Sequence, residues 1–203
     1  MKYSNWYALA ALVLLLTGCE DNTEDERWDR LNDDIAGKYS VTAVGIIDND
    51  MAFDLDGDGT AHSDIFAELK GLPNYHTYSS GTFSNVTRAT ISDRTGYMYF
   101  VFPVQGLAVR YGEIVPQWIA GNIGFVTFAY TVGDDYTIAA EDIPDLDMDE
   151  ALKWDLSTMS DFHVSYIGAG EIRFEVTCPL YDFITGTTEM VRLQYTYRRY
   201  EKA

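Results

Sequence analysis

From Glu171 to Cys178 every second residue is apolar. Ile172, Phe174, Val176 and Cys178 fall on one side, and Glu171, Arg173, Glu175 and Thr177 on the other. A period of two buries a single face only in an extended strand, whose successive side chains point in opposite directions. After turn residues near Thr185-Gly186-Thr187 the alternation returns at Val191, Leu193, Tyr195 and Tyr197. The pair predicts a long antiparallel hairpin. The same period recurs from Tyr39 to Ala43, Phe83 to Ser92 and Tyr97 to Val104. It continues from Leu107 to Val115, Ile123 to Val132 and Phe162 to Ile167. About eight such strands separated by turn residues predict an all-β domain, either a barrel or a sandwich. Helical spacing is confined to short pieces. Trp28, Leu31 and Ile35 line one face of a segment between Thr23 and Ala36, which is expected to lie against the domain as a lid.

The first residues follow a different rule. A lysine at position 2 precedes an apolar run from Ala8 to Leu16. A membrane-spanning helix needs about 20 apolar residues, so this run reads as a signal peptide over residues 1–18. It ends at Leu16-Thr17-Gly18-Cys19, which resembles the bacterial lipobox. That resemblance implies diacylation of Cys19 and a membrane partner reached through the lipid. Residues 19–26 form an acidic tether, too polar to pack. An acidic patch directly after the cysteine also resembles the surface-export signal of Bacteroidetes lipoproteins, although a plain spacer would read the same way. The expected location is the outer membrane, lipid-anchored, on either the periplasmic or the outer face. Residues 27–203 then form one domain.

With 32 acidic and 14 basic residues the chain carries a formal charge of −18, which repels phosphate backbones and argues against nucleic acid as a partner. Only two cysteines exist. Acylation of Cys19 leaves Cys178 without a disulfide partner, and its place on the apolar side of its strand marks a buried structural thiol.

The strand pattern alone leaves barrel and sandwich open. Gly37-Lys38-Tyr39 opens the first strand after the short helix, and the last strand carries Arg192, Arg198 and Arg199. This layout resembles lipocalins, which begin Gly-x-Trp and lay an arginine of the last strand over that aromatic ring; here tyrosine stands for tryptophan. The resemblance is to the lipocalin-like lipoproteins of Bacteroidetes. It implies an antiparallel lipocalin-like barrel of about eight strands with short helical insertions. It also implies a small apolar ligand in the barrel mouth.

The sharpest local chemistry lies in an insertion over residues 48–72. Asp54, Asp56 and Asp58 alternate and are followed by Gly59, Thr60 and Asp64. Alternating carboxylates that close on a glycine form the first half of an EF-hand-type calcium loop. Calcium takes six to eight oxygens, and these three side chains converge only if the chain turns sharply, as Gly59 allows. Thr60 offers its backbone carbonyl. Ile65 occupies the position of the usual bidentate glutamate, so Asp64 or Glu68 is left to complete the set. The loop resembles those of dockerins, and the expected role of calcium is structural. A second acidic run, Asp145 to Glu150, lacks the glycine and precedes a stretch with helical character.

Catalytic patterns are poor. His62, His76 and His163 lack metal-ligand spacing, and no nucleophile elbow, HExxH helix or phosphate loop occurs. Trp118 and Trp154 lie in irregular stretches, where they could stack on a sugar or plug the core. The expectation is a non-catalytic lipoprotein that binds a small apolar ligand. The alternatives are a carbohydrate-binding protein and a protein-interaction lipoprotein with no small ligand.

Overall fold

The alternating segments do become strands, and the closing hairpin is the longest pair. In the computed structural model, which describes residues 23–47, 50–72, 84–116, 123–134, 137–140 and 158–203, β9 (Glu171–Asp182) pairs with β10 (Thr187–Lys202) from Arg198↔Glu171 to Thr187↔Asp182. Before them come α1 (Thr23–Ile35), β1 (Gly37–Ile46), α2 (Ile65–Gly71), β2 (Ser84–Val86) and β3 (Thr95–Pro103). Then follow β4 (Leu107–Arg110), β5 (Glu113–Pro116), β6 (Ile123–Val132), β7 (Ile138–Ala140) and β8 (Ser160–Gly168). Residues 1–22, including Cys19, lie outside the described residues, as do His76, Trp118, Asp145–Glu150 and Trp154.

Eight strands make one antiparallel sheet in the order β7-β6-β3-β2-β1-β10-β9-β8. With the separate β4–β5 hairpin set aside, neighbours in the sheet are neighbours along the chain, and the first strand pairs with the last. The sheet rolls up until β7 lies beside β8, giving a nearly closed barrel with one unpaired seam. Closure settles the choice between barrel and sandwich.

Three expected strands are revised. Phe83 to Ser92 shortens to β2, because the chain leaves the ladder after Val86 and turns at residues 91–93. Leu107 to Val115 splits into β4 and β5 around Tyr111-Gly112, where both residues take positive φ. In β1 the alternation slips: Tyr39 is buried, Ala43 is exposed and Val44 is buried again. A register shift between Val41 and Ala43 inserts Thr42 as an extra residue, and such a bulge reverses the facing of everything after it.

The barrel interior is filled. Phe100, Phe102, Phe128, Phe174, Tyr195 and Tyr197 are all at most 1% exposed. Phe174 lies at the centre, with the rings of Phe100, Phe102, Phe128, Phe162 and Tyr195 at centroid distances of 4.9–6.1 Å. Each aromatic pair in such geometry adds roughly 0.5–1.5 kcal/mol beyond its buried area. The two tyrosine hydroxyls are satisfied across the interior, Tyr195 donating to the Pro103 carbonyl at 2.8 Å and Tyr197 to that of Val101 at 3.0 Å.

The two ends differ. α1 covers the end where β1 begins, burying Trp28 and Ile35. Asn32 exchanges hydrogen bonds with the Ala89 backbone, and Arg88 pairs with Asp29 and Asp33. Tyr39 is fully buried beneath it and donates its hydroxyl to the Ile35 carbonyl. Arg199, its partner across the β1–β10 ladder, directs its guanidinium to the carbonyls of Asp33 and Ala36 at the helix C-terminus. The described cation–ring pairs lie elsewhere, with Lys70 over Phe66 and Arg94 over Trp28. The expected arginine thus sits beside Tyr39 but is spent on helix carbonyls that would otherwise lack donors.

Candidate functional site

The opposite end is covered by the insertion between β1 and β2. Its apolar residues Phe53, Leu55, Ile65, Phe66, Leu69 and Leu72 belong to the core. The acidic turn between them is therefore held from both sides. Phe53 and His62 close its base through paired backbone bonds of 3.1 and 2.9 Å.

Within that base the chain turns as the spacing anticipates. Gly59 takes φ +88°. The Asp54 carboxylate accepts the N–H groups of Gly57 at 2.8 Å and Gly59 at 2.9 Å. Asp56 accepts from the Asp58 N–H at 3.1 Å, and Asp58 from the Thr60 N–H at 2.8 Å. These bonds bring one oxygen each of Asp54, Asp56 and Asp58 within 4.8 Å of one another. Asp54 is 1% exposed, so the cluster reaches from the interior to the surface. Three converging carboxylates are the donor set a hard divalent cation selects.

The two candidates for the missing ligand are treated differently. Asp64 is exposed and caps α2, accepting the Ala67 N–H at 3.1 Å. Glu68 is 3% exposed and lies inside the insertion, with one carboxylate oxygen accepting the Leu55 N–H at 2.8 Å. Its other oxygen is 3.8 Å from Nε2 of His62. Burial pushes the Glu68 carboxyl above its ordinary value, the Leu55 N–H opposes that, and the negative charge of Asp56 adds to it. Glu68 therefore feels the charges of the loop, and Asp64 serves the helix.

Two supporting residues gave no signal in the sequence. Gly71, at the end of α2, lies against Asp56: a Cβ there would stand 1.8 Å from Oδ2. Asp182, 7% exposed at the end of β9, accepts the N–H groups of Asp54, Ile184 and Thr185. The Phe183 N–H returns a bond to the Asp54 carbonyl at 3.0 Å. The loop is thus docked on the β9–β10 turn, over a hundred residues away in sequence.

Other candidate chemistry is dispersed. Cys178 is 3% exposed, and burial pushes its thiol up to about 12, which makes it a poor nucleophile. His163 is exposed on the outer wall, with Nε2 3.2 Å from the Ser165 hydroxyl. Glu175 lies opposite it in the ladder, but its oxygens hold Arg192 at 2.7 Å and Gln194 at 3.0 Å. Compared with known protein families, curated proteins and solved structures, the chain finds no match in any of the three.

Proposed function

We propose that this chain is a non-catalytic binding protein of the cell envelope. It is lipid-anchored at the outer membrane through Cys19, is built on a lipocalin-like meander barrel, and is fixed at one end by a structural calcium ion. The observation that carries the reading is the convergence of Asp54, Asp56 and Asp58 within 4.8 Å in a loop whose flanks are part of the core. Holding like charges so close, one of them buried, is costly unless a cation neutralises them. Asp54, Asp56 and Asp58 are the proposed side-chain ligands, with the Thr60 carbonyl beside them and Glu68 on the inner side. Magnesium, which demands a tight octahedron and keeps its waters, substitutes poorly.

The barrel argues for small cargo. Among the described residues its interior is packed with aromatic rings, which favours a small apolar ligand over a long-chain lipid. A second reading, a protein-interaction lipoprotein, is favoured by one observation. The β4–β5 hairpin leaves Val109 73% exposed and Tyr111 at its tip fully so.

Calcium binding to the folded state adds about RT ln(1 + [Ca²⁺]/Kd), roughly 1.4 kcal/mol at ten times Kd. For a domain of this size that raises the melting temperature by about 3–5 °C over the value in chelator. Asp56→Ala should erase the difference and the calorimetric heat of calcium binding. Coincident wild-type melting curves with and without calcium, and no heat of binding, would reduce the loop to an acidic turn.

A further inference from the structure

The ladder between β8 and β9 is incomplete. It runs from Gly168↔Glu171 to Ser160↔Thr177, yet β9 continues to Asp182. Among the described residues, that edge beyond Thr177 is met by a side chain. The Gln105 amide donates to the Tyr181 carbonyl at 2.8 Å and to the Leu55 carbonyl at 2.9 Å, and its oxygen accepts the Tyr181 N–H at 2.7 Å. One glutamine substitutes for a strand and ties the acidic loop to β9. Beside this edge, next to Thr158 and Met159, the described residues line a cavity of about 180 Å³.

Its walls decide what it can hold. The lining is mainly apolar, with Leu69, Val104, Met159 and Leu180 in it, Thr158 and Thr188 add hydroxyls, and no lining residue is charged. The polar groups nearest the interior are already used, Gln105 by its three backbone bonds and the Tyr195 hydroxyl by the Pro103 carbonyl. An apolar cavity of roughly 150 Å³ accepts benzene, so this one has room for one aromatic ring or a small fused pair. It is well below the roughly 300–1,000 Å³ of sites for drug-sized molecules.

We propose that this cavity, which opens beside the barrel seam and reaches the core side chains Cys178, Leu180 and Leu193, is the ligand site, and that it takes a neutral, compact apolar molecule the size of benzene or indole. The inference rests on the binding-protein reading above and narrows it, since a charged lipid carboxylate would meet no counter-charge and a long chain no room.

The test uses the full mature chain in calcium buffer, titrated with indole and, separately, with palmitate. Indole should bind once, raise the melting temperature by about 3–5 °C at ten times its Kd, and shift the Met159 methyl resonance. Palmitate should do none of these. Cys178→Leu and Met159→Trp fill the cavity from its floor and its rim. Either variant that keeps the wild-type calcium shift should lose indole binding at least tenfold. Absence of any indole effect on melting and on the Met159 resonance overturns the proposal, as does unchanged indole affinity in a folded filling variant. Binding of palmitate at the same site overturns the assigned ligand class. The calcium shift is read on the same samples, so failure of the calcium reading is seen separately from failure of the cavity.

Discussion

Gly71 illustrates how a single residue can matter to a site it does not join. Its missing Cβ is the space that the Asp56 carboxylate occupies, at 1.8 Å from where that atom would be. Gly71→Ala should therefore push Asp56 out of the cluster. Alanine also favours helix over glycine by up to about 1 kcal/mol, so the calcium-free protein should be as stable as wild type or slightly more so. Calcium affinity should fall about tenfold by calorimetry while the melting temperature in chelator holds or rises. A variant that binds calcium like wild type would place Asp56 outside the ligand set. The convergence of the three aspartates was legible in the sequence because carboxylates at alternate positions ahead of a glycine turn can be brought together. Gly71 was not, because nothing local distinguishes a glycine at a helix end from one making room for a distant carboxylate. Tyr39 falls between these cases. Its place as a buried aromatic opening β1 followed from the Gly-x-Tyr start, but where Arg199 would aim its guanidinium depended on where α1 ends.

At the level of elements, what the sequence conveyed was period, and what it concealed was phase. β9 and β10 match their alternation throughout because their ladder runs without interruption from Arg198↔Glu171 to Thr187↔Asp182. β1 does not, since one extra residue at Thr42 reverses its facing and no pattern marks where a bulge will fall. Asp182 controls the join between two elements that sequence reading treated apart. Burial favours its neutral form, but the Thr185 hydroxyl and the N–H groups of Asp54, Ile184 and Thr185 outweigh this, so its carboxyl lies below the ordinary value. A folded-state pKa below the unfolded one contributes stability above about pH 4 and loses it as pH falls through the folded value. Asp182→Asn should cost about 1–3 kcal/mol at pH 7, the worth of hydrogen bonds to a charged acceptor. The deficit should shrink as pH is lowered toward 3. Urea midpoints of both proteins, measured in chelator so that calcium release adds no pH dependence of its own, give the comparison. A deficit that stays constant between pH 7 and pH 3 would mean that the Asp182 charge does not hold the loop.

Across the whole molecule, first-to-last strand pairing gives the barrel two chemically different ends, and the chain enters at only one of them. α1 and the turn at Ala169 lie at the end where β1 begins, while the acidic loop, the β9–β10 turn and the seam cavity lie at the other. Cys19 precedes Thr23, the first residue of α1, by four positions, a reach of at most roughly 14 Å. A lipid on Cys19, as proposed, would therefore turn the α1 end toward the bilayer and present the acidic loop and cavity away from it. The strands of a barrel tilt by about 35–45°, so twelve residues of β9 separate the two ends by roughly 30 Å. That distance can be measured. Cys178 is buried with its thiol pushed up to about 12, so a cysteine introduced at an exposed turn is labelled selectively. In vesicles whose headgroups carry a quencher, a fluorophore on Ala169→Cys should be strongly quenched, and one on Ile184→Cys hardly at all. Equal quenching at the two positions would reject the orientation. If acyl chains on Cys19 supply the attachment, adding Cys19→Ala to either labelled protein should abolish quenching and release it from the membrane fraction; a variant still bound and quenched would show that the barrel itself, not its lipid, meets the membrane.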